Sequence, residues 1–127
     1  MQKEPLRNIL IVDDEPDILE LMEEEFDLEG FKVTCTDSGN KALSILKNNS
    51  QHFDVIISDF KMSDGDGSVV LDFVRRKEGH RPLFYFVSGQ ADISSSEAQS
   101  LGVKRFIYKP FDVDELIQKI AADLEER

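Results

Sequence analysis

In Val55-Ile56-Ile57-Ser58-Asp59, a short and mostly apolar run ends in a carboxylate. The chain has four more short runs of apolar character, and most are continuous rather than alternating; they are residues 8–12, 32–35, 83–87 and 106–108. Continuous apolar runs are typical of parallel strands that are covered on both faces. The sequence therefore predicts five short strands, of which residues 55–58 form the third.

Segments with helical spacing lie between and after these strands. The first opens at Pro16 and ends near Gly30, and its predicted inward stripe consists of Ile18, Leu21, Met22 and Phe26. The second covers residues 39–47, with Asp37 or Ser38 as its cap, and the third follows Gly67.

The last two helices differ in strength. Residues 91–101 have few apolar anchors and predict a short, weakly held helix where motion should concentrate. The last helix follows Asp112, which can form a capping box with Glu115. Strand and helix alternate five times, which predicts an α/β fold with a doubly wound parallel sheet and helices on both faces.

Composition sets limits on size, location and partners. We expect one domain over residues 1–127, with a core at about 7–124. The net charge of −11 argues against binding to nucleic acid or anionic membrane. The single cysteine, Cys35, excludes an intramolecular disulfide, lies in a strand as a buried thiol, and fits a cytoplasmic location. Neither a signal peptide nor a membrane span is expected.

Polar residues stand at four of the predicted strand ends. They are Asp13-Asp14, Asp59, Ser88 and Lys109. Parallel α/β sheets gather their binding residues at the carboxyl ends of the strands, so these groups should converge on one crevice. Carboxylates suit Mg²⁺, which prefers oxygen ligands, and a cluster of them without a cation would raise its own pKa values. Asp59 is then the natural nucleophile toward phosphorus, Lys109 a clamp for it and Ser88 a hydrogen-bond donor.

In this order and spacing, Asp13-Asp14, Asp59, Ser88 and Lys109-Pro110 resemble the receiver domain of two-component response regulators, the CheY-like superfamily. The resemblance covers about residues 7–124 and implies a five-stranded parallel sheet of flavodoxin-like order 2-1-3-4-5. It implies that a sensor histidine kinase or a histidine phosphotransfer protein phosphorylates Asp59 in a Mg²⁺-dependent reaction, with Mn²⁺ as a substitute metal. Such a domain is not an enzyme acting on a separate substrate, and no organic cofactor is implied.

The resemblance also assigns individual roles. Asp14 and Asp59 would ligate the metal directly, Asp13 largely through water, and Lys61 through its backbone carbonyl. Ser88 would be the switch hydroxyl and Phe106 the switch aromatic, altering the face built from the fourth helix, fifth strand and last helix for a downstream protein or output domain. A core role for Phe106 remains equally open. The domain would be a monomer or a phosphorylation-dependent dimer, and the Lys109-Pro110 bond is often cis in such domains.

Three positions depart from the family pattern or adjust it. Met62 is followed by Ser63 where the family usually has proline, which should loosen this loop. Lys61 and Gln90 occupy positions that tune hydrolysis of the acyl phosphate in the family. We expect the long Lys61 side chain to hinder the attacking water. His52 and His80 are expected to be solvent-exposed loop residues.

Three alternatives remain at the level of sequence. A flavodoxin-like module that binds proteins without phosphorylation would need none of the acidic chemistry. An aspartate-nucleophile phosphatase would have a second aspartate two positions after the nucleophile, where this chain has Lys61. A flavin-binding electron carrier would have a phosphate loop rich in Ser, Thr and Gly after the first strand, where this chain has Asp13, Asp14 and Glu15.

Overall fold

The computed structural model of the chain describes residues 7–48, 52–77, 79, 81–89 and 93–126. Its strands are β1 (Asn8–Val12), β2 (Lys32–Thr36), β3 (Val55–Asp59), β4 (Leu83–Ser88) and β5 (Arg105–Tyr108). Its helices are α1 (Pro16–Leu28), α2 (Gly39–Lys47), α3 (Gly67–Arg76), α4 (Ser95–Ser100) and α5 (Val113–Glu126). All five strand predictions are confirmed, and four of the strands are longer than predicted by a single residue.

The strands form one parallel sheet in the order β2-β1-β3-β4-β5, as the resemblance implied. Ile11 pairs with Ile57 across β1 and β3, Asp59 pairs with Val87 across β3 and β4, and Ser88 pairs with Tyr108 across β4 and β5. This register brings the carboxyl ends of the strands to the same edge of the sheet.

Side chains alternate between two cores, one on each face of the sheet. On β1, Ile9 and Ile11 join the core under α1 and α5, while Leu10 and Val12 join the core under α2 and α3. All four side chains are essentially inaccessible to solvent. Burial on both faces explains why the strands are continuously apolar, and it makes the central strands rigid supports for the residues at their ends.

Helix ends follow the sequence signals closely, with one correction on α1. Pro16 opens this helix, and Gly30 follows its end with a φ of 93°. Leu21 is not part of the buried stripe, since it is 46% exposed, and Leu19 packs against the core instead. Met22 and Phe26, four residues apart, set the buried direction; Leu19 lies close to that direction around the helix, whereas Leu21 lies well away from it.

The structure shows which residues cap the other helices. Ser38, rather than Asp37, accepts a hydrogen bond from Lys41 N and caps α2. Glu115 N donates to Asp112 Oδ1 over 3.2 Å at the start of α5. Helix α4 is short, as expected; it has 6 residues inside the predicted segment 91–101, of which residues 91 and 92 lie outside the described residues. A reciprocal capping box between Ser94 and Glu97 supports it. The prediction that motion concentrates here remains a prediction.

A polar cluster, buried at Tyr85 and Asp123 but open to solvent at Arg105, joins α5 to two strands. Tyr85 on β4 donates a hydrogen bond of 2.6 Å to Asp123 Oδ2, and Arg105 on β5 donates to both oxygens of that carboxylate over 2.8 Å each. Asp123 is 2% exposed, so its charge is compensated almost entirely by these donors. The hydrogen bond to Arg105, with a smaller contribution from Tyr85, lowers the pKa of Asp123 despite its burial.

Other predictions concern single residues. Cys35 is partly buried, and burial, together with the charge of Glu23, raises the pKa of its thiol to about 12, which suits an inert side chain. His52 is exposed as expected, whereas His80 lies outside the described residues. In the part of the chain that the structure describes, no helix is both long and apolar enough to span a membrane.

Candidate functional site

Four chain segments meet at the carboxyl edge of the sheet. Asp13 directly follows β1, Asp59 and Ser88 are the last residues of β3 and β4, and Lys109 directly follows β5. The backbone ties neighbouring ends together, because Lys109 N donates to the Ser88 carbonyl over 2.8 Å. The predicted convergence of these segments is confirmed, and it is a direct consequence of the parallel register.

Three carboxylates form the centre of the site. Oxygen atoms of Asp13, Asp14 and Asp59 all lie within 4.8 Å of one another. Asp13 and Asp59 are buried, at 2% and 5% exposure, while Asp14 is open to solvent. A compact set of oxygen ligands with an open side suits a hard divalent cation, which keeps part of its water shell and binds a substrate oxygen as well.

Lys109 reaches into this cluster. Its Nζ atom lies 3.1 Å from Asp59 Oδ2, 3.2 Å from Asp13 Oδ2 and 2.7 Å from Glu15 Oε1. The expected ion pair between Lys109 and Asp59 is therefore present. A single ammonium group serves three carboxylates, and Asp14 adds a fourth negative charge nearby. The site as a whole keeps an excess of negative charge.

The pKa values of the two buried acids are raised, mainly by burial. Burial raises the pKa of Asp59 to about 6, and the charge of Asp13 adds to the rise, while the hydrogen bond and charge of Lys109 oppose it. Burial also raises the pKa of Asp13, against the opposing effects of the Glu15 backbone and Lys109. A bound cation would compensate the charge that one lysine leaves uncompensated, so the donor set fits Mg²⁺.

At Lys109 the charged form is favoured, in contrast to Asp13 and Asp59, where the neutral form is favoured. Burial is the largest single effect on Lys109 and favours its neutral form, but the hydrogen bond to Glu15 and the charges of Asp13 and Asp59 together outweigh it. The pKa of Lys109 is therefore raised, and its side chain is a permanent cation at physiological pH. A permanent cation can hold an anionic group in place but does not exchange protons with it.

Glu15 is the residue of this site that sequence reasoning missed. It appeared there only as a negative charge after the aspartate pair, yet it makes the shortest contact to Lys109. Its backbone N donates to Asp13 Oδ1 over 2.8 Å, and its side chain does not cap α1. The signal in the sequence was its position directly before Pro16, at the N-cap of a helix that starts at the site.

The loop from β3 to α3 brings Gly67, the first residue of α3, close to the backbone of Asp59. A Cβ atom at Gly67 would lie 2.6 Å from the Phe86 ring and 2.9 Å from Ser58 Oγ, so only glycine allows α3 to begin here. Met62 is buried, and its N atom lies 3.4 Å from Asp66 Oδ1. Lys61 lies in this loop with an exposed side chain, and Gln90 lies outside the described residues.

Ser88 and Phe106, which the resemblance implied as switch residues, lie on the neighbouring strands β4 and β5. Ser88 is completely buried. Phe106 is partly buried; its ring centroid lies 6.0 Å from those of Phe86 and Phe60 and 5.2 Å from that of Tyr108. Phe106 and Tyr108 also line an open groove of about 400 Å³ beside α4. Phe106 is therefore both a member of the core and a wall of a surface groove.

Comparisons with known proteins identify the family of the chain. Residues 9–121 match the model of the response regulator receiver domain family. The response regulator SaeR of Staphylococcus aureus is 32% identical over 115 residues, which cover 91% of this chain and 49% of that protein. The chain thus spans about half the length of the curated relatives it matches.

Solved structures show the same fold. A receiver domain protein from Methanospirillum hungatei superposes with a TM-score of 0.82 at 25% identity, over 96% of both chains. The receiver domain of a Francisella response regulator superposes with a TM-score of 0.78 at 28% identity, over 91% of this chain and 94% of that one. The family match covers most of the chain. The chain belongs to the receiver domain family of two-component response regulators.

Proposed function

We propose that Asp59 is the phosphoacceptor of this receiver domain and takes a phosphoryl group from a histidine kinase or a histidine phosphotransfer protein. The observation that carries the proposal is the contact of 3.1 Å between Lys109 Nζ and Asp59 Oδ2, inside a cluster of three carboxylates. In the transfer, a carboxylate oxygen of Asp59 forms a bond to phosphorus as the bond from phosphorus to the donor breaks. The donor leaves with that electron pair, and the product is an acyl phosphate.

The three carboxylates give the site its capacity for metal. Asp14 and Asp59 are proposed as direct ligands, Asp13 as a ligand through water, and the Lys61 carbonyl as the remaining protein ligand. When bound, Mg²⁺ would neutralise charge on the phosphoryl oxygens. Without such compensation an anionic donor would approach an already negative pocket, so the residues of this chain require the cation for the reaction.

Lys109 and Ser88 are proposed to hold the product. Lys109 is a cation held within reach of Asp59, and a phosphoryl group there offers it new acceptor oxygens. Ser88 ends the neighbouring strand, and its hydroxyl can donate to a phosphoryl oxygen after a small movement. Both interactions exist only with the phosphorylated state, so they favour it over the resting state.

The switch would pass from Ser88 to Phe106. Movement of Ser88 toward the phosphoryl group would leave space into which the Phe106 ring turns. The partly buried position of Phe106, between the core aromatics and an open groove, supports two positions for its ring. A downstream protein or output domain would bind the face formed by α4, β5 and α5. The domain would do this in the cytoplasm as a monomer or a phosphorylation-dependent dimer.

In this reading the domain is not an enzyme with a separate substrate, because Asp59 is itself modified. The phosphatase alternative lacks support from the position two residues after Asp59, which is Lys61. The alternative that keeps some support is a module that binds proteins without phosphorylation. It would retain the fold and the ion pair of Lys109 but would have no use for a metal.

The test is the intact mass of the chain after incubation with Mg²⁺ and acetyl phosphate, for the wild type and for Asp59→Asn. We expect a gain of one phosphoryl group in the wild type only, with loss of the gain when a chelator is added. Asp112→Asn, at an exposed aspartate outside the site, is the matched control and should react like the wild type.

A negative result would still discriminate. If the wild type gains no mass, Mg²⁺ binding measured by calorimetry separates the two remaining readings. A chain that binds Mg²⁺ but does not react requires its own kinase as the donor. A chain that neither binds Mg²⁺ nor reacts is a module that binds proteins without phosphorylation, and the proposal is wrong.

A further inference from the structure

A groove at the amino ends of the strands, opposite the acidic cluster, combines positive charge with an apolar floor. Arg75, Arg81 and Lys104 line it, and its floor includes Leu71 and Phe84. Its volume is about 270 Å³. Arg81 stands shortly before β4 and Lys104 directly before β5, whereas Asp59 ends β3. The groove and the acidic cluster therefore lie at opposite ends of the parallel strands.

Local contacts hold the cations at the rim of this groove. Arg81 Nη2 donates a hydrogen bond of 3.0 Å to the Arg75 carbonyl. Arg75 in turn lies against Gly102, where a Cβ atom would be 3.0 Å from its Nη2. Gly102 also has a φ of 73°, a conformation that favours glycine. Lys104 N donates to the Phe84 carbonyl over 2.8 Å, which fixes the start of its side chain at the same rim.

The charge of the groove contrasts with that of the molecule. No carboxylate lines it, in the part of the chain that the structure describes. Arg75 and Lys104 are exposed, and neither forms an ion pair with an acidic side chain of the described residues. The whole chain carries a net charge of −11, so an anion is repelled by most of the surface and attracted here.

We propose that this groove docks a short acidic segment of a partner protein, one that carries a large apolar side chain among its carboxylates. The exposed guanidinium group of Arg75 and the exposed ammonium group of Lys104 pair with the carboxylates of the segment. The floor that includes Leu71 and Phe84 receives the apolar side chain. Charge complementarity steers such a segment to this edge, and burial of its apolar side chain then holds it there.

Other anionic occupants fit less well. A nucleic acid would extend past the groove over a molecule whose net charge is −11, and its affinity depends on many phosphate contacts. A second copy of this chain would bring another net charge of −11. Two such molecules repel each other at long range. A short acidic segment avoids both penalties, because it covers the groove and little else.

The probe for the test is the capped peptide acetyl-Glu-Glu-Leu-Glu-Glu-amide, titrated into the full chain and followed by amide chemical shifts. Arg75→Gln and Lys104→Gln should each weaken binding about three- to fivefold, because each removes one exposed ion pair with the peptide. Arg76→Gln is the matched control, since it removes the same charge from the neighbouring position of α3, and Arg76 does not line the groove. It should change the affinity by less than about twofold.

Four further outcomes would overturn the proposal. One is equal binding of the acetyl-Gln-Gln-Leu-Gln-Gln-amide peptide, and the second is equal weakening by Arg76→Gln. The third is binding of inorganic phosphate as tight as that of the acidic peptide, which would indicate a simple anion site. The fourth is self-association of the wild type that Arg75→Gln abolishes, because the occupant is then a second copy.

The proposal for the groove and the proposal for the phosphoacceptor site can be tested independently. The substituted cations are exposed and far along the strands from Asp59, so the variants should keep the wild-type gain of mass with acetyl phosphate. That measurement also shows that each variant is folded. Loss of peptide binding with normal phosphorylation concerns the groove alone, and loss of phosphorylation in the wild type concerns Asp59 alone.

Discussion

Lys109 Nζ donates a hydrogen bond of 2.7 Å to Glu15 Oε1, a residue 94 positions earlier in the chain. The contact is shorter than the one between Lys109 and Asp59, at 3.1 Å. Glu15 is 57% exposed, whereas the side chain of Asp59 is 7% exposed. The outer carboxylate thus competes with the inner one for the single cation of the site, and it adds negative charge at the entrance.

Glu15→Gln should therefore speed phosphorylation by acetyl phosphate. The change releases Lys109 toward Asp59 and removes a charge that repels an anionic donor. An exposed ion pair is worth roughly 0.2–1 kcal/mol, which corresponds to an increase in rate of up to about fivefold. The rate of mass gain measures it, with Glu20→Gln on the exposed face of α1 as control. A slower reaction in Glu15→Gln would mean that Glu15 assists the chemistry.

Asp59→Asn should stabilise the metal-free protein at neutral pH. The pKa of Asp59 is about 6 in the folded chain against an ordinary value of 3.8, so its ionised form is disfavoured by folding. One pKa unit corresponds to about 1.4 kcal/mol, and we expect a gain in unfolding free energy of about 1–3 kcal/mol at pH 7.5. Urea unfolding in the presence of a chelator measures it.

The stability difference between the wild type and Asp59→Asn should depend on pH. As pH falls through about 6, the folded wild type takes up a proton at Asp59 before the unfolded chain does, so wild-type folding gains stability relative to Asp59→Asn. The difference between the two proteins should shrink toward pH 4. Asp72→Asn, at an exposed position on α3, should show no such trend. A difference that is constant from pH 7.5 to 4 would contradict the assigned cause.

Asp123→Ala should destabilise the fold although it lies far from the acidic cluster. The substitution leaves the buried Tyr85 hydroxyl and the Arg105 guanidinium without their shared acceptor. The Arg105 side chain is 40% exposed and can turn to water, so the cost comes mainly from the Tyr85 hydroxyl and is about 1–3 kcal/mol. Thermal or urea unfolding measures it against Glu125→Ala, an exposed acid on the same helix. A loss no larger than that of the control would show that water replaces the carboxylate at no cost.

Gly67→Ala should damage both stability and the site. The added methyl group would lie 2.6 Å from the Phe86 ring and also against the Asp59 backbone carbonyl. Overpacking of this kind costs about 1–3 kcal/mol. Because the strain falls on Asp59, we also expect slower phosphorylation at temperatures where the variant is folded. Ser68→Ala, the next position of α3, is the control, and equal behaviour of the two variants would remove the steric argument.

Lys61→Ala should shorten the life of the acyl phosphate. Lys61 is exposed and lies two residues after Asp59, where a long side chain can hinder an attacking water molecule. We expect hydrolysis to be about threefold faster, which is a modest change in barrier. The decay of phosphorylated protein after removal of acetyl phosphate measures it, with Lys47→Ala at the end of α2 as control. An unchanged lifetime would refute the role given to Lys61.

Local patterns were sufficient for the fold and for the inner part of the site. Continuous apolar runs predict buried parallel strands, and the carboxyl ends of such strands share one edge, so Asp13, Asp59, Ser88 and Lys109 could be brought together without coordinates. The end of α1 near Gly30 was equally local, because it depends on one residue type at one position. These features follow from the chemistry of neighbouring residues along the chain.

Packing between distant segments decided the rest. Whether Leu21 is buried depends on how α1 turns on the sheet, and the periodicity of α1 alone placed it wrongly. Lys109 contacts Glu15, 94 positions earlier in the chain, only because the fold brings the two segments together. Arg75, Arg81 and Lys104 line one groove because α3, β4 and β5 meet there. Sequence periodicity specifies which face a residue shares with its neighbours. Only the docking of helices and strands specifies which charges face each other.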